Sequence, residues 1–340
     1  MISRIALDAM GGDNAPAAVV EGAYLAAANE DIEIILVGKE DAIRAELDKY
    51  TVRTNISILN AEEVIENEDE PVRAARRKKE SSMVKAVNLV KEGKADAALS
   101  AGNTGALMAS ALLYLGRIKG VERPAIVSVF PHLTDRGFSL LVDAGANAEC
   151  RAEHLLCFAK MASIYMQDAF DIERPTVGLI NIGTEEGKGT PMLKEVYAQL
   201  KQSDLNFVGN VESRELPKGP ADVLVCDGFT GNIILKLYEG TAWNILKLFK
   251  SKVKESPIAM MGGALMSGQL KSLKGMFDYA SYGAAPILGT DGLVFKMHGS
   301  ASAHMTHLAI VKAAEVAQKN PIAKIAAAME KPAETTDAEA

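Results

Sequence analysis

The sequence predicts an α/β fold in which helices cover both faces of a parallel or mostly parallel β-sheet. Short apolar runs alternate with longer amphipathic runs along the chain, which is the pattern of strands alternating with helices. Several strands also end in short polar or glycine-rich turns that open a helix. Parallel strands need such crossover connections, so both observations point to the same fold class.

The individual elements follow from local patterns. Asp8 ends the first apolar run and Gly38 ends the second, whereas Pro16 is suited to the first position of a helix. Strands are predicted at residues 2–7, 32–37, 56–59, 97–100, 125–130, 139–143, 176–180 and 222–226. Helices are predicted at residues 16–28, 39–49, 82–93 and 233–237, and from residue 104 onward. A chain of 340 residues has room for one large domain or two smaller ones, and we expect a single domain over residues 1–330.

Two segments depart from this alternation. Residues 244–277 mix lysines with methionine and leucine, and we expect Pro257 and the Gly262–Gly263 pair to divide them into two helical arms. Such a helical hairpin fits an amphipathic element that makes a dimer contact and touches a membrane surface, with core packing as the alternative. Residues 331–340 are small, polar and acidic, and we expect a flexible tail. The membrane-contact candidates are Met260, Met261, Leu265 and Met266.

Composition and charge exclude several classes of protein. The net charge of −7 argues against a surface that binds nucleic acid throughout. Cys150, Cys157 and Cys226 are sparse and odd in number, without the spacing of a disulfide framework or a zinc cluster. The chain starts without the apolar segment of a signal peptide, and no stretch approaches the roughly 18 apolar residues of a membrane span. We therefore expect a cytoplasmic protein with reduced thiols.

The glycine-rich turn after the strand at 176–180 is a candidate anion site. Its glycines let backbone N–H groups approach an anion, and the helix that follows would point its positive end at the same place. Lys188 adds a full charge, although a glycine follows it where a Walker A loop needs Ser or Thr. A flexible solvated loop is the alternative interpretation. The candidate residues are Gly187, Lys188, Gly189 and Thr190.

The turn between residues 226 and 233 is a second candidate. The amide of Asn232 could donate to an oxyanion or orient a phosphate, or it could simply cap the following helix. Cys226 could be a thiol nucleophile, but it ends an apolar run, which favours a buried side chain. The candidate binding residues beside Asn232 are Gly228, Thr230 and Gly231.

Two further glycine-containing turns follow the first and fourth strands, and each is a weak signal by itself. Ligands of open α/β sheets collect outside the carboxyl ends of the strands. We therefore expect all of these turns, together with the Asp143 turn, to meet at one edge of the sheet. Their candidate residues are Gly11, Gly12, Asp13 and Asn14 in one turn and Gly102, Asn103 and Thr104 in the other.

Two other clusters carry functional residue types. His298 and Ser300 suggest nucleophilic chemistry, but no nucleophile elbow is present, and Gly299 and Ser300 are equally typical of a helix N-cap. We favour a binding or structural role there, and we expect no metal site at His298, His304 and His307 because no carboxylate partner accompanies them. A basic run is either a solvated helix face or a docking patch for an acidic partner. This run contains Arg73, Arg76, Arg77, Lys78 and Lys79.

Eight motifs in register strongly resemble one family. DAMGGDNAP, SSMVKAVNLV, SAGNTGALMA, DAGAN, GTEEGKGT, DGFTGN, YGAAPILG and HGSASA occur in this order over about residues 1–320. Each motif is modest alone, but the ordered set is similar to the bacterial phosphate acyltransferases of phospholipid synthesis, the PlsX family. The resemblance implies a three-layer α/β/α sandwich with a mostly parallel sheet, related to isocitrate and isopropylmalate dehydrogenases.

The resemblance also implies a function. Such an enzyme converts acyl-[acyl-carrier-protein] and inorganic phosphate to acyl phosphate and free carrier protein. It is a cytoplasmic homodimer at the membrane surface that uses neither metal nor organic cofactor, and a membrane glycerol-3-phosphate acyltransferase consumes its product. The proposed catalytic lysine and asparagine of the family fall on Lys188 and Asn232. The partners implied are therefore acyl carrier protein, a second copy of the chain and the membrane acyltransferase, with no nucleic acid.

Three alternatives stay open at this point. A decarboxylating dehydrogenase of the related fold would need metal-binding aspartates and a dinucleotide site. A short-chain phosphate acyltransferase would use a coenzyme A thioester. A membrane-surface scaffold would bind lipid without any chemistry.

Overall fold

One sheet of eleven strands organises the described part of the chain. The computed structural model describes residues 2–134, 137–269 and 283–330. The strands are β1 (Ser3–Asp8), β2 (Ile32–Gly38), β3 (Ile56–Asn60), β4 (Ala97–Ser100), β5 (Ala125–Pro131), β6 (Phe138–Val142), β7 (Thr176–Asn181), β8 (Asn206–Glu212), β9 (Val223–Val225), β10 (Ala285–Leu288) and β11 (Leu293–Lys296). Their order in the sheet is β3-β2-β1-β4-β11-β10-β5-β6-β9-β7-β8.

Helices connect most of these strands, as the alternating pattern predicts. A π-helical turn at Ala111–Leu115 extends the fifth helix, and a 3-10 turn spans Ser213–Lys218. The α-helices are α1 (Ala17–Ala26), α2 (Glu40–Leu47), α3 (Pro71–Arg77), α4 (Ser82–Lys91), α5 (Thr104–Ser110), α6 (Ala152–Phe170), α7 (Pro191–Gln202), α8 (Gly228–Val253), α9 (Pro257–Leu265), α10 (Ala303–Lys319) and α11 (Pro321–Glu330).

The sheet consists of two parallel halves that run in opposite directions. Strands β3, β2, β1, β4 and β11 are mutually parallel, and so are β6, β9, β7 and β8. Between the halves, the pairs β11–β10, β10–β5 and β5–β6 are all antiparallel. An odd number of reversals leaves the two halves pointing opposite ways. The turns after β1 and β4 therefore lie at one edge, and those after β6, β7 and β9 lie at the other.

This arrangement corrects one expectation. The turns that carry the glycine motifs do not meet at a single edge of the sheet, because the central antiparallel strands reverse the chain direction between them. The motif-bearing turns form two groups. A binding site that contains residues from both groups of turns must therefore extend from one edge of the sheet to the other.

The core divides between the two faces of the sheet, which confirms the three-layer α/β/α sandwich. Within β1, Ile5 and Leu7 belong to one buried cluster and Ala6 to another, because successive strand residues point to opposite faces. The first cluster includes residues of α1, α6 and α10, and the second includes residues of α4 and α5. At Gly22, a Cβ would lie 2.5 Å from the Cβ of Thr306, so glycine allows α1 and α10 to pack closely.

The predicted helical hairpin differs from the structure in its details. α8 is one helix from Gly228 to Val253, and α9 begins at Pro257, where the Ser256 side chain caps it. The expected break at Gly262–Gly263 is wrong, because α9 runs through both glycines. The part of the hairpin beyond residue 269 and the tail at 331–340 lie outside the described residues.

Candidate active site

A cavity of about 450 Å³ opens where the two halves of the sheet meet. It lies against β5 and β10, and it is bordered by α8 and by the end of β11. Residues from both edges of the sheet reach it, since Thr104 follows β4 and Gly145 follows β6. The lining residues are Thr104, Ile126, Ser128, Val129, Ala144, Gly145, Asn232, Leu235, Lys236, Glu239, Gly283, Ala284, Ala285, Lys296, Met297, His298, Gly299 and Met305.

One face of α8 presents Asn232 to this cavity. The helix begins earlier than predicted, because Asp227 caps it by accepting hydrogen bonds from the Thr230 amide at 2.8 Å and the Thr230 hydroxyl at 3.0 Å. Asn232 therefore lies in the second turn and is not the cap. Leu235 and Glu239 follow Asn232 at spacings that keep them on the same helix face, and both line the cavity.

The turn after β6 is anchored by the buried carboxylate of Asp143. This carboxylate accepts hydrogen bonds from the backbone amides of Gly145 at 3.1 Å, Ala146 at 3.0 Å and Asn147 at 2.7 Å. Burial raises the pKa of Asp143, while these hydrogen bonds oppose the shift. Gly145 has a φ of 138°, and a Cβ there would lie 3.4 Å from the Cβ of Asn232. The turn is thus fixed directly beside Asn232.

At the opposite edge, the turns after β1 and β4 pack against each other. The buried Asp8 carboxylate accepts a hydrogen bond from the Ser100 hydroxyl at 2.6 Å, and Ser100 Oγ accepts one from the Gly102 amide at 3.0 Å. A Cβ at Gly11 would lie 2.6 Å from Asp8 Oδ2 and 2.7 Å from the Gly102 nitrogen. The close packing of these two turns therefore accounts for the glycines at positions 11 and 102.

The rest of the first turn is bonded to the segment that precedes α10. The Asp13 amide donates to the Gly299 carbonyl at 2.7 Å, and Asn14 Nδ2 donates to the Ser300 carbonyl at 3.1 Å. Gly12 has a φ of 99°, and a Cβ there would lie 2.8 Å from the Gly299 oxygen. The DAMGGDNAP and HGSASA motifs thus form one structural unit.

Asn103 and Thr104 differ in what they contact. Asn103 Oδ1 accepts from the Ala106 amide at 3.0 Å, and Asn103 Nδ2 donates to the Asn67 carbonyl at 3.0 Å. Its side chain therefore caps α5 and ties it to a neighbouring loop. Thr104, in contrast, lines the cavity.

The histidine cluster lies at the cavity and at the start of α10. His298 Nδ1 is 2.8 Å from Ser300 Oγ, and burial together with the nearby Lys296 lowers the pKa of the imidazole. Ser302 caps α10, so the expected cap at Gly299 and Ser300 is placed too early. The described residues contain no group of three side chains suited to a metal ion.

Lys188 lies outside the lining of the cavity. Its loop follows β7 at the same edge as the Asn232 turn, because β7 and β9 are parallel neighbours. The half-exposed side chain places Nζ 3.8 Å from Glu185 Oε1. Asn181 Nδ2 donates to the Lys188 carbonyl at 3.2 Å, and a Cβ at Gly189 would lie 2.5 Å from Asn181 Oδ1. The glycine-rich loop predicted from the sequence therefore lies beside the cavity and not in its lining. Asn181, the last residue of β7, holds this loop in place.

The other residues of that loop and turn have local roles. Thr190 caps α7 by accepting from the Leu193 amide at 3.3 Å, whereas a Cβ at Gly187 would meet no atom within 4 Å. At Gly231 a Cβ would clash with the Asp143 carbonyl oxygen, and at Gly228 it would lie 2.7 Å from the Asn147 carbonyl oxygen. These two glycines let α8 start against the Asp143 turn.

Lys296 is a cavity residue that sequence reasoning missed. It ends β11, and its Nζ donates to the carbonyl oxygens of Ala101, at 3.1 Å, and Met297. Burial lowers the pKa of this ammonium to about 8, although the carboxylates of Asp8 and Asp13 oppose the shift. A lysine directly after an apolar run and before HGSASA was the available signal. Cys226, in contrast, is buried, and burial raises the pKa of its thiol well above the usual range.

The predicted docking residues lie on and just after α3. Arg73, Arg76, Arg77 and Lys79 are exposed. Lys78 is instead engaged within the protein, since its Nζ donates hydrogen bonds to Asp69 Oδ2 at 2.5 Å and to the Val64 carbonyl at 2.9 Å. The charge available to a partner is therefore smaller than the sequence suggests.

The predicted membrane-contact residues are exposed on and just after α9. Met261 is 70% exposed and Leu265 is 86% exposed, and Met260 and Met266 are more than half exposed. Among the described helices, none combines the length and the apolar character that crossing a bilayer requires.

Comparison with known proteins identifies the family. A model of the family described as fatty acid synthesis protein matches residues 3–324. A phosphate acyltransferase of Clostridium acetobutylicum is 48% identical over 328 residues, which cover 96% of this chain and 98% of that protein. A phosphate acyltransferase of Alkaliphilus oremlandii is 52% identical over 298 residues, which cover 87% of this chain and 88% of that protein.

Solved structures share the fold. A phosphotransacetylase from Streptococcus pyogenes has a TM-score of 0.62 at 19% identity, with 93% of this chain and 94% of that chain covered. A 4-hydroxythreonine-4-phosphate dehydrogenase from Klebsiella pneumoniae has a TM-score of 0.51 at 12% identity, with 94% and 98% covered. At these identities the likeness concerns the fold alone. The family match and the two relatives together establish that the chain belongs to the fatty acid synthesis protein family, the PlsX family that its motifs resemble, and that it is an enzyme of the acyltransferase class.

Proposed function

We propose that this enzyme transfers an acyl group from acyl-[acyl-carrier-protein] to inorganic phosphate, giving acyl phosphate and free carrier protein for phospholipid synthesis. The observation that carries the proposal is the cavity between the sheet halves. It brings the amide of Asn232, the fixed Gly145 turn and the ammonium of Lys296 together beside apolar side chains. The names of the relatives, phosphate acyltransferase, support the same reaction.

The chemistry needs anion stabilisation more than a base. A phosphate oxygen attacks the thioester carbon, a C–O bond forms, and the carbonyl oxygen becomes an oxyanion. The intermediate then collapses, the C–S bond breaks, and the thiolate of the carrier protein leaves and takes a proton from solvent. Because phosphate is already an anion near neutral pH, no strong base is needed to generate the nucleophile. The enzyme must therefore bind one anion and stabilise a second.

Asn232 and Lys188 are proposed as the two catalytic groups for the oxyanion. Asn232 Nδ2 in the cavity donates to the developing oxygen, and Lys188 neutralises the same charge from the adjacent strand end. Lys188 must leave Glu185 to do so, which its half-exposed position and the 3.8 Å separation allow. A single oxyanion-hole donor typically contributes about 2.7–4 kcal/mol to lowering the barrier.

The same proposal includes the partners. The exposed arginines of α3 would dock the acidic carrier protein by long-range attraction. Several apolar side chains of α8 and α9 are exposed in the single chain, including Leu237 at 68% and Leu248 at 60% exposure. We propose a second copy of the chain and a membrane surface as the partners that cover these side chains. The enzyme would then act in the cytoplasm as a peripheral homodimer that supplies a membrane acyltransferase.

A coenzyme A thioester is the second candidate donor. The likeness to a phosphotransacetylase fold favours testing it, although that likeness concerns the fold alone. The names of the closely similar relatives favour acyl transfer over dehydrogenation or a purely structural role.

One experiment tests the reaction. The protein is incubated with palmitoyl-carrier protein with and without inorganic phosphate, and acyl phosphate is trapped with hydroxylamine as the hydroxamate. Phosphate-dependent hydroxamate is the expected result. Loss of thioester without phosphate dependence, or no loss at all, would overturn the proposal. Parallel reactions with palmitoyl-CoA and acetyl-CoA decide between the carrier protein and coenzyme A as donor.

A further inference from the structure

The cavity contains a partly buried cation that the family motifs did not identify. Lys296 projects from the end of β11, which lies between β4 and β10 at the centre of the sheet. It lines the same cavity as Asn232 and Thr104. A partly buried lysine loses part of its hydration, so an anionic partner in the cavity stabilises its charged form.

The protein compensates this charge only in part. Two of the three ammonium protons are used by the carbonyl oxygens of Ala101 and Met297. The carboxylates of Asp8 and Asp13 lie near enough to favour the charged form, and His298 is the other titratable neighbour. Asp8 already accepts bonds from Ser100 and the Met10 amide. Within the described residues, no side-chain acceptor is hydrogen-bonded to Lys296, which leaves one N–H for a ligand.

We propose that Lys296 binds the inorganic phosphate from which the acyl phosphate is made, with Thr104 and His298 around the same pocket. This inference rests on the proposed function, and it assigns a binding position to the phosphate nucleophile of that reaction. Asn232 lines the cavity from α8, whereas Lys296 ends β11, so the phosphate and the thioester carbonyl approach from different elements. Lys296 positions the nucleophile, and Asn232 with Lys188 stabilises the oxyanion.

The other cavity lysine fits this role less well. The Lys236 side chain is exposed and lies one turn from Asn232 on the cavity side of α8, where the nearby Glu239 partly offsets its charge. Lys296 is held by two backbone carbonyls at the end of a strand, so its position is fixed before substrate arrives. A fixed charge in a cavity of low polarity stabilises an anion more than a solvated one does.

The test compares Lys296→Met with a matched control. Lys312 is another partly buried lysine, whose Nζ donates to the Ala169 carbonyl at 2.7 Å and lies 4.3 Å from the centre of the Phe170 ring, but it does not line the cavity. Lys296→Met should raise the KM for phosphate by tenfold or more, with a smaller change in kcat. Lys312→Met should leave both constants within twofold of the wild type. An unchanged KM for phosphate in folded Lys296→Met would overturn the assignment.

A second measurement uses the wild-type protein and does not depend on turnover. Lysines are acetylated with a low dose of acetic anhydride, with and without inorganic phosphate, and modification at each site is measured by mass spectrometry. Phosphate should protect Lys296 several-fold and leave Lys312 unprotected. Equal protection at both sites, or none at Lys296, would reject the phosphate site even if Lys296→Met fails to fold.

The two proposals fail separately. If the hydroxamate assay is negative for the wild type but phosphate protects Lys296, the phosphate site holds and the acyl transfer reaction is wrong. If the hydroxamate forms but Lys296→Met keeps the wild-type KM and phosphate gives no protection, the reaction holds and the role of Lys296 is wrong.

Discussion

The loop after β7 and the end of β11 present two lysines in contrasting settings. Lys188 lies in a glycine-rich loop, half exposed and 3.8 Å from Glu185, outside the lining of the cavity. Lys296 lies in no recognisable motif, but it is partly buried in the cavity and held by two carbonyl oxygens. A conspicuous glycine-rich loop and a charge held in a fixed position are thus different features of a site. The two settings fit the two proposed roles, in which Lys188 stabilises the oxyanion and Lys296 binds the phosphate.

Removal of the oxyanion donors should give the largest effects. Asn232→Ala and Lys188→Ala are each expected to lower kcat by about 100-fold or more, because one lost donor raises the barrier by roughly 2.7–4 kcal/mol. The KM for phosphate should change little in either variant, in contrast to Lys296→Met. Initial rates over a phosphate series measure both constants. A near wild-type kcat in either folded variant would remove that residue from the mechanism.

The pH dependence of phosphate binding should separate the two lysines further. The ammonium form of Lys296 binds the anion, and burial lowers its pKa to about 8. Affinity should therefore be full below that value and fall as the pH rises through it, by about tenfold per unit once the group is largely deprotonated. The KM for phosphate is measured from pH 6 to 10. Lys296→Arg, which stays charged, should flatten the profile, and a profile identical to that of the wild type would contradict the assignment.

Charge reversal on α3 should have a moderate, salt-dependent effect. Arg76→Glu with Arg77→Glu is expected to raise the KM for the acyl-carrier protein by on the order of tenfold at low salt and less at high salt, because exposed charges steer association and are screened. Lys78→Met should matter less, since Asp69 already pairs with that lysine. Steady-state kinetics at two ionic strengths measure the difference. A KM independent of these arginines would place docking elsewhere.

The smallest expected effect comes from the turn that supports Asn232. Gly145→Ala should lower the free energy of unfolding by about 1–3 kcal/mol because of the positive φ. It should also lower kcat by a few-fold, since the new Cβ would press on Asn232 at 3.4 Å. Gly240→Ala on α8, which meets no atom within 4 Å, is the control and should not destabilise the protein. Thermal unfolding and kcat are measured for both, and equal behaviour would remove the Gly145 contact from the account.

Much of the fold could be predicted from the sequence because strands buried on both faces appear as apolar runs. β1 and β4 are of this kind, and each lies within a residue or two of its predicted range. β10 and β11 were missed because they are four residues each and lie among glycines. Their pairing reverses the direction of half the sheet. That reversal depends on contacts between segments distant in sequence, which local patterns do not encode.

The sequence likewise predicted some residues of the candidate site correctly and missed others. Asn232 was found because a glycine-rich turn precedes it, and it does line the cavity. Asn103 and Thr190 were also found by their turns, but their side chains cap helices. Lys296 gave only a weak signal, because a single lysine after an apolar run is common on protein surfaces. The packing of β11 between β4 and β10 partly buries it, and local sequence does not encode that packing.

The most direct test of the account is a crystal structure of the wild-type enzyme with inorganic phosphate. Phosphate is expected in the cavity between the sheet halves, with an oxygen within about 2.7–3.2 Å of Lys296 Nζ. Phosphate bound at the Lys188 loop, with the cavity beside Lys296 free of it, would contradict the account.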